Sequence, residues 1–189
     1  MHSSYSKNNY AEVFRAIVSA FQPKQCVELG VLEGYSTVAI AQGLKANRAG
    51  HLAAYDLFKE YKYRNASKET AQKNLDEAGV ADYATLHARH AGEVAQEFLD
   101  SSVYLLHVDL SNTGDTVRWV MESWDQKMVN GGIILFEGGT EERDQVDWML
   151  KYGSSPIKKE LETNPIIEKN YVFATYMKFP GLTCLLKKR

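Results

Sequence analysis

The chain predicts an α/β fold, a mostly parallel sheet with helices packed on both faces. Three observations carry that expectation. Short apolar runs alternate with helical-period stretches through five strands, and alternating units of this kind build a parallel sheet covered by crossover helices. The first run, Gln25 to Leu29, ends at Gly30, and Gly34 follows before a helix opens at Tyr35. The last two runs, YVFATYMKF and LTCLLK, meet at Pro180-Gly181 and read as a hairpin that adds an antiparallel strand.

The elements follow in order. Tyr10, Val13, Phe14, Ile17, Val18 and Phe21 fall on one helical face, so Asn8 to Phe21 is an amphipathic helix that Pro23 stops. Strand one spans Gln25 to Leu29, and the helix after the glycine turn runs from Tyr35 to about Ala46. HLAAYDLF supplies strand two, ending at Asp56. Tyr61 to Ala78 reads as a helix closed by Gly79. Tyr83 to Ala88 is strand three, with a short helix from His90 to Leu99 after it. Strand four is Val103 to Val108 and ends at Asp109. A long helix is expected from about Thr113 to Val129, with Val117, Val120, Met121, Trp124 and Met128 as core. Gly131-Gly132 turns into strand five, which ends at Glu137, and Thr140 caps a helix to about Lys151. Gly153 to Lys169, with two prolines and mixed charge, reads as a long loop.

Composition narrows the functional classes. The 189 residues suffice for one domain, 1–189, with one core. A net charge of −2 gives no field that would favour a polyanion, so nucleic acid is not expected as a partner. No apolar run reaches the roughly 18 residues of a membrane span, and the N-terminus has no apolar signal core, so a cytoplasmic protein is expected. Cys26 and Cys184 lie inside strands and read as small apolar residues.

The stretch Val27 to Thr37, VELGVLEGYST, carries the chemistry. A tight glycine turn brings bare backbone to a ligand and aims free N–H groups at it. Glu28 is a carboxylate in an otherwise buried strand and needs partners, either a ligand or a neighbouring loop. Asp56 ends strand two about 26 residues after Gly30, the place from which an acidic side chain accepts ribose hydroxyls in nucleotide-binding sheets. His87, Arg89 and His90 form a small basic cluster, read as surface.

E-x-G-x-x-x-G-x-S resembles the first motif of class I S-adenosylmethionine-dependent methyltransferases, in particular the catechol and the sugar and antibiotic O-methyltransferase branch. The acidic ends of strands two, four and five stand in register with it. The resemblance implies a Rossmann-like seven-stranded sheet of order 3-2-1-4-5-7-6 with strand seven antiparallel. It puts Cys26 and Cys184 on strands one and seven, on the order of 14 Å apart at ~4.8 Å per strand, too far for a disulfide. It implies S-adenosylmethionine as cofactor: Glu28, Gly30, Gly34, Tyr35 and Ser36 at the methionine part, Asp56 at the ribose, Ala91 and Gly92 at the adenine. Asp109 and Glu137 are the implied catalytic residues, with Asp109 also beside the cofactor, and the acceptor is a small molecule or sugar. A homodimer is compatible with it.

The chain departs from that branch in three respects. The catechol type holds a divalent cation with an Asp after strand four and an Asp-Asn pair after strand five, where this chain has Asp109 and then Glu137-Gly138. The sugar type has D-x-x-H after strand four, where this chain has Asp109-Leu110-Ser111-Asn112. The lysine of the catechol type is absent there too. A metal on Asp109 and Glu137 is therefore the weaker expectation, and a metal-free site is preferred. The alternatives are a protein that binds the cofactor without methyl transfer, and a nicotinamide-dependent oxidoreductase, against which the glycine spacing argues.

Overall fold

The computed structural model describes residues 1–63 and 65–189, which form two compact units, Met1–Val94 and Ala95–Arg189. The seven strands make one sheet in the order β3-β2-β1-β4-β5-β7-β6.

The first unit contains α1 (Tyr10–Phe21), β1 (Gln25–Leu29), α2 (Tyr35–Asn47), β2 (His51–Asp56), α3 (Lys68–Glu77) and β3 (Ala84–Ala88). β2 pairs in parallel with both β1 and β3. The α1 stripe Tyr10, Phe14 and Val18 is fully buried. It packs on α2 at Gly43, where a Cβ would stand 2.7 Å from the Val18 side chain. α2 is buried nearly all round, as befits a helix under other elements.

Two expectations fail in this unit. α3 starts at Lys68, not Tyr61. The Asn65 amide donates to the Tyr61 and Tyr63 carbonyls, a local bond that competes with the helix, and Ser67 caps α3 by accepting from Thr70 N at 3.1 Å. Arg64, inside the expected helix, lies outside the described residues. The expected helix from His90 to Leu99 is two 3-10 turns, Ala91–Glu93 and, in the second unit, Ala95–Glu97.

The second unit contains β4 (Val103–Val108), α4 (Gly114–Trp124), β5 (Met128–Glu137), α5 (Glu141–Asp144), α6 (Asp147–Lys151), α7 (Ile157–Thr163), α8 (Pro165–Asn170), β6 (Tyr171–Tyr176) and β7 (Leu182–Lys187). β4 and β5 are parallel, and β7 runs antiparallel to both β5 and β6. α4 stops at Trp124, five residues short of the expected end. The Gln126 and Lys127 carbonyls are taken by Ser101 N and Ser102 N at 2.8 and 2.9 Å, so the chain leaves the helix and enters β5 at Met128. Register then slips where Val103 pairs with Met128 but Leu105 with Ile133, and Gly131 supplies the positive φ that the extra residues require.

The expected helix from Thr140 to Lys151 is broken into α5 and α6 at an extended Val146. The expected loop from Gly153 to Lys169 contains α7 and α8. One residue explains both: the Asp144 carboxylate accepts from Ile157 N (2.9 Å) and Lys158 N (3.0 Å), so it turns inward to cap α7 instead of continuing its own helix. Asn164 caps α8, with Pro165 at its first position. Among the described residues, no helix is long and apolar enough to cross a membrane.

Candidate functional site

In the first unit the β1–α2 junction is a braced turn. Gly30, Leu32 and Gly34 have φ of +92°, +52° and +86°. Leucine takes such a φ only when its surroundings enforce it. The brace is Asp56 at the end of β2. Its Oδ2 accepts from Val31 N (2.7 Å) and Leu32 N (3.0 Å), and its Oδ1 accepts from Phe58 N (2.6 Å). Gly30 N donates to the Tyr55 carbonyl at 2.9 Å and Gly34 N to the Val31 carbonyl at 2.8 Å.

Glu28 finds both its partners within the protein. It is fully buried, and its carboxylate accepts from Ser36 Oγ (2.6 Å) and Thr37 Oγ1 (2.5 Å), which ties the end of β1 to the first turn of α2. Thr37 belongs to this braced turn and was not singled out from sequence. The signal was present, since hydroxyls eight and nine residues after a buried glutamate are what a strand–turn–helix unit folds back onto it. α2 starts at Tyr35, and Gly34 before it has no side chain to cap the helix, so its first N–H groups are available at the turn. Tyr35, at that end, accepts from Ala11 N at 3.2 Å through its hydroxyl.

Ala91 and Gly92 stand on the 3-10 turn after β3, with Gly92 exposed and its N–H donating to His90 Nδ1 at 3.1 Å. β3 is tied to β2 at this end, because Arg89 N donates to the Asp56 carbonyl at 3.0 Å. His87, expected on the surface, is half-buried and stacks on Tyr55 at 4.7 Å. Glu28, Gly30, Gly34, Tyr35, Ser36 and Asp56 thus belong to one braced unit.

In the second unit Asp109 follows β4 and is half-buried. Asn112, three residues on, is fully buried and engaged throughout. Its Nδ2 donates to the Val108 (2.9 Å) and Glu137 (3.1 Å) carbonyls, and its Oδ1 accepts from Leu110 N (3.2 Å). It therefore joins the ends of β4 and β5. Glu137 is buried and paired with Arg143: Nε to Oε1 is 3.0 Å and Nη2 to Oε2 is 3.3 Å. Arg143 lies over the Trp148 ring at 5.1 Å, and its Nη1 is buried without a hydrogen bond among the described residues. Arg143 was not singled out from sequence. A buried carboxylate implies a cation within reach, and Thr140, three residues earlier, fixes Arg143 in the first turn of α5 by accepting from its N–H at 3.1 Å.

A divalent cation does not fit at Glu137. Both carboxylate oxygens face a guanidinium, and no group of three His, Cys, Asp or Glu among the described residues could hold a metal. Gly138 cannot carry the missing amide ligand either. It has no side chain, and its φ of +111° is one that side-chain-bearing residues rarely adopt.

Known proteins share this fold. Solved structures with the same fold include an S-adenosylhomocysteine-bound methyltransferase, PaMTH1, from Podospora anserina (18% identity, TM-score 0.71, covering 100% of this chain and 80% of that one). Another is the O-methyltransferase TomG of tomaymycin synthesis from Streptomyces achromogenes, in complex with S-adenosylmethionine (15%, 0.71, 95% and 79%). A third is an O-methyltransferase from Bacillus cereus in complex with S-adenosylhomocysteine (13%, 0.71, 99% and 84%). No curated protein sequence matches the chain. Residues 27–137, more than half of the chain, match the methyltransferase domain family. The chain belongs to that family and is an S-adenosylmethionine-dependent methyltransferase.

Proposed function

We propose that the chain methylates an oxygen of a small molecule or sugar. The observation that carries this reading is the Asp56-braced turn that opens onto the uncapped start of α2. The free N–H groups of Tyr35 and Ser36 hold a carboxylate, and the helix dipole favours that charge. Asp56 spends three of the roughly four acceptor positions of a carboxylate on backbone N–H groups, and the remaining one accepts a ribose hydroxyl. Ala91 and Gly92 flank the adenine. Glu28 acts by fixing Ser36 and Thr37, since it is fully buried.

When bound, S-adenosylmethionine supplies a methyl group on a sulfonium, already an excellent leaving group. The protein therefore positions the acceptor and takes its proton. Asp109 is the candidate for that proton. Glu137 serves as the counter-ion that fixes Arg143 at the end of β5. The test is incubation with S-adenosylmethionine and a panel of hydroxylated acceptors, with products read by mass spectrometry. A mono-methylated product that disappears in Asp109→Asn supports the assignment, and full activity in that variant contradicts it.

One set of observations favours a second reading, cofactor binding without transfer. Asn112 stands where the sugar type has a histidine, and its amide is consumed in backbone bonds, while Glu137 is consumed by Arg143. S-adenosylhomocysteine binding with no product across the panel is the outcome this reading expects.

A further inference from the structure

The second unit holds a cavity of about 350 Å³ that starts at Gly139 and Thr140, two residues past Glu137. Its floor is apolar: Leu161 of α7 is buried, whereas Phe173 and Met177 stay 40% and 66% exposed. Phe173, Thr175 and Met177 alternate along β6 and its exit, so they present one face to the cavity. Large apolar side chains left exposed along the wall of a concave site mark a surface that a ligand can cover.

The rim is anionic. Glu141, Glu142 and Glu162 line it against a single ammonium, Lys158. Lys158 is committed to Glu141 at 2.7 Å and senses Glu162 only through space. The Glu142 and Glu162 carboxylates have no hydrogen bond or ion pair among the described residues. Two carboxylates without a hydrogen bond of their own, beside an aromatic and a thioether, complement one kind of guest, a cationic head on an apolar body.

We propose that this cavity takes an organic ammonium with an aromatic or hydrocarbon body, and that the acceptor carries such a group as its recognition handle. This rests on the reading of the β5 end as the acceptor side. The two carboxylates supply the preference for positive charge, and Phe173 with Met177 supplies contact area for the body.

The test uses three probes of one shape, phenethylamine, 2-phenylethanol and 3-phenylpropionate, titrated by calorimetry into the full chain. Phenethylamine is expected to bind about tenfold tighter than phenylpropionate at low salt, with the alcohol between them. In Glu142→Gln/Glu162→Gln the preference should collapse to about twofold, and in Phe173→Ala all three probes should weaken together. Equal or tighter binding of phenylpropionate, an undiminished preference in the double variant, or no binding of phenethylamine at several millimolar would each overturn the proposal. S-adenosylhomocysteine is titrated separately into the same samples. Loss of that binding in the wild type counts against the proposed function and leaves the probe ranking to judge the cavity on its own.

Discussion

Asp56 has two jobs. It accepts three backbone N–H bonds that hold Leu32 at a positive φ, and in the proposed function its remaining acceptor position takes a ribose hydroxyl. Asp56→Ala should therefore weaken S-adenosylhomocysteine by roughly 1–3 kcal/mol, the range for a lost bond to a charged group, through the ribose and through a loosened turn. Asp56→Asn keeps one acceptor oxygen and should fall between. Calorimetry checks the order, and equal affinity in all three proteins would remove Asp56 from the site. Arg143 is the residue-scale lesson of the second unit. Removing it by Arg143→Met strands the Glu137 carboxylate, only 8% exposed, and should cost about 3–5 kcal/mol in urea unfolding. Adding Glu137→Gln should restore part of that loss, and a double variant less stable than the single one would contradict the pairing. The acidic residues at strand ends were readable as site candidates because carboxylates there need partners. Ser36 was singled out beforehand, whereas Thr37 and Arg143 were not: spacing hints that a partner is near, but which hydroxyl or cation it is depends on the folded turn.

At the scale of elements, β1, β4 and β7 are read from sequence at their observed bounds, since a short apolar run closed by Gly, Asp or Pro-Gly leaves little room for error. The misreadings cluster where a single polar side chain redirects the backbone. Asn65 and Ser67 set the start of α3, and Asp144 both breaks one helix and starts another. α7 and α8 have seven and six residues, too few for a 3.6-residue period to stand out. Asp144→Ala removes the cap of α7 and strands two N–H groups, and should cost about 1–2 kcal/mol. Amide hydrogen exchange should then quicken in α7 before it quickens in β4, and uniform quickening would deny α7 its separate cap.

At the scale of the molecule, burial of the thiols links stability to pH. Burial pushes the Cys26 thiol up to about 12 and Cys184 up to about 11. Both raised values favour the protonated thiol in the folded state, while the unfolded chain ionises near 8.5. That stability is complete below about 8.5 and drains away by about 1.4 kcal/mol per pH unit for each thiol, as pH rises toward about 11 for Cys184 and about 12 for Cys26. Cys26→Ala should be less stable at pH 8, because a buried side chain is truncated, yet lose stability more slowly between pH 9 and 11. Parallel slopes for the two proteins would contradict the assignment. The strand order was legible only through resemblance to a known family, and the structure has that order. Whether a ligand uses the braced turn is the central claim. The most direct measurement is calorimetric titration of S-adenosylhomocysteine into wild type and Gly30→Val, a change that puts a β-branched side chain where φ is +92° and the backbone must approach the ligand. The account predicts saturable one-to-one binding to wild type and none to a Gly30→Val protein whose circular dichroism shows it folded. Unchanged affinity in folded Gly30→Val, or no binding to wild type, would contradict it.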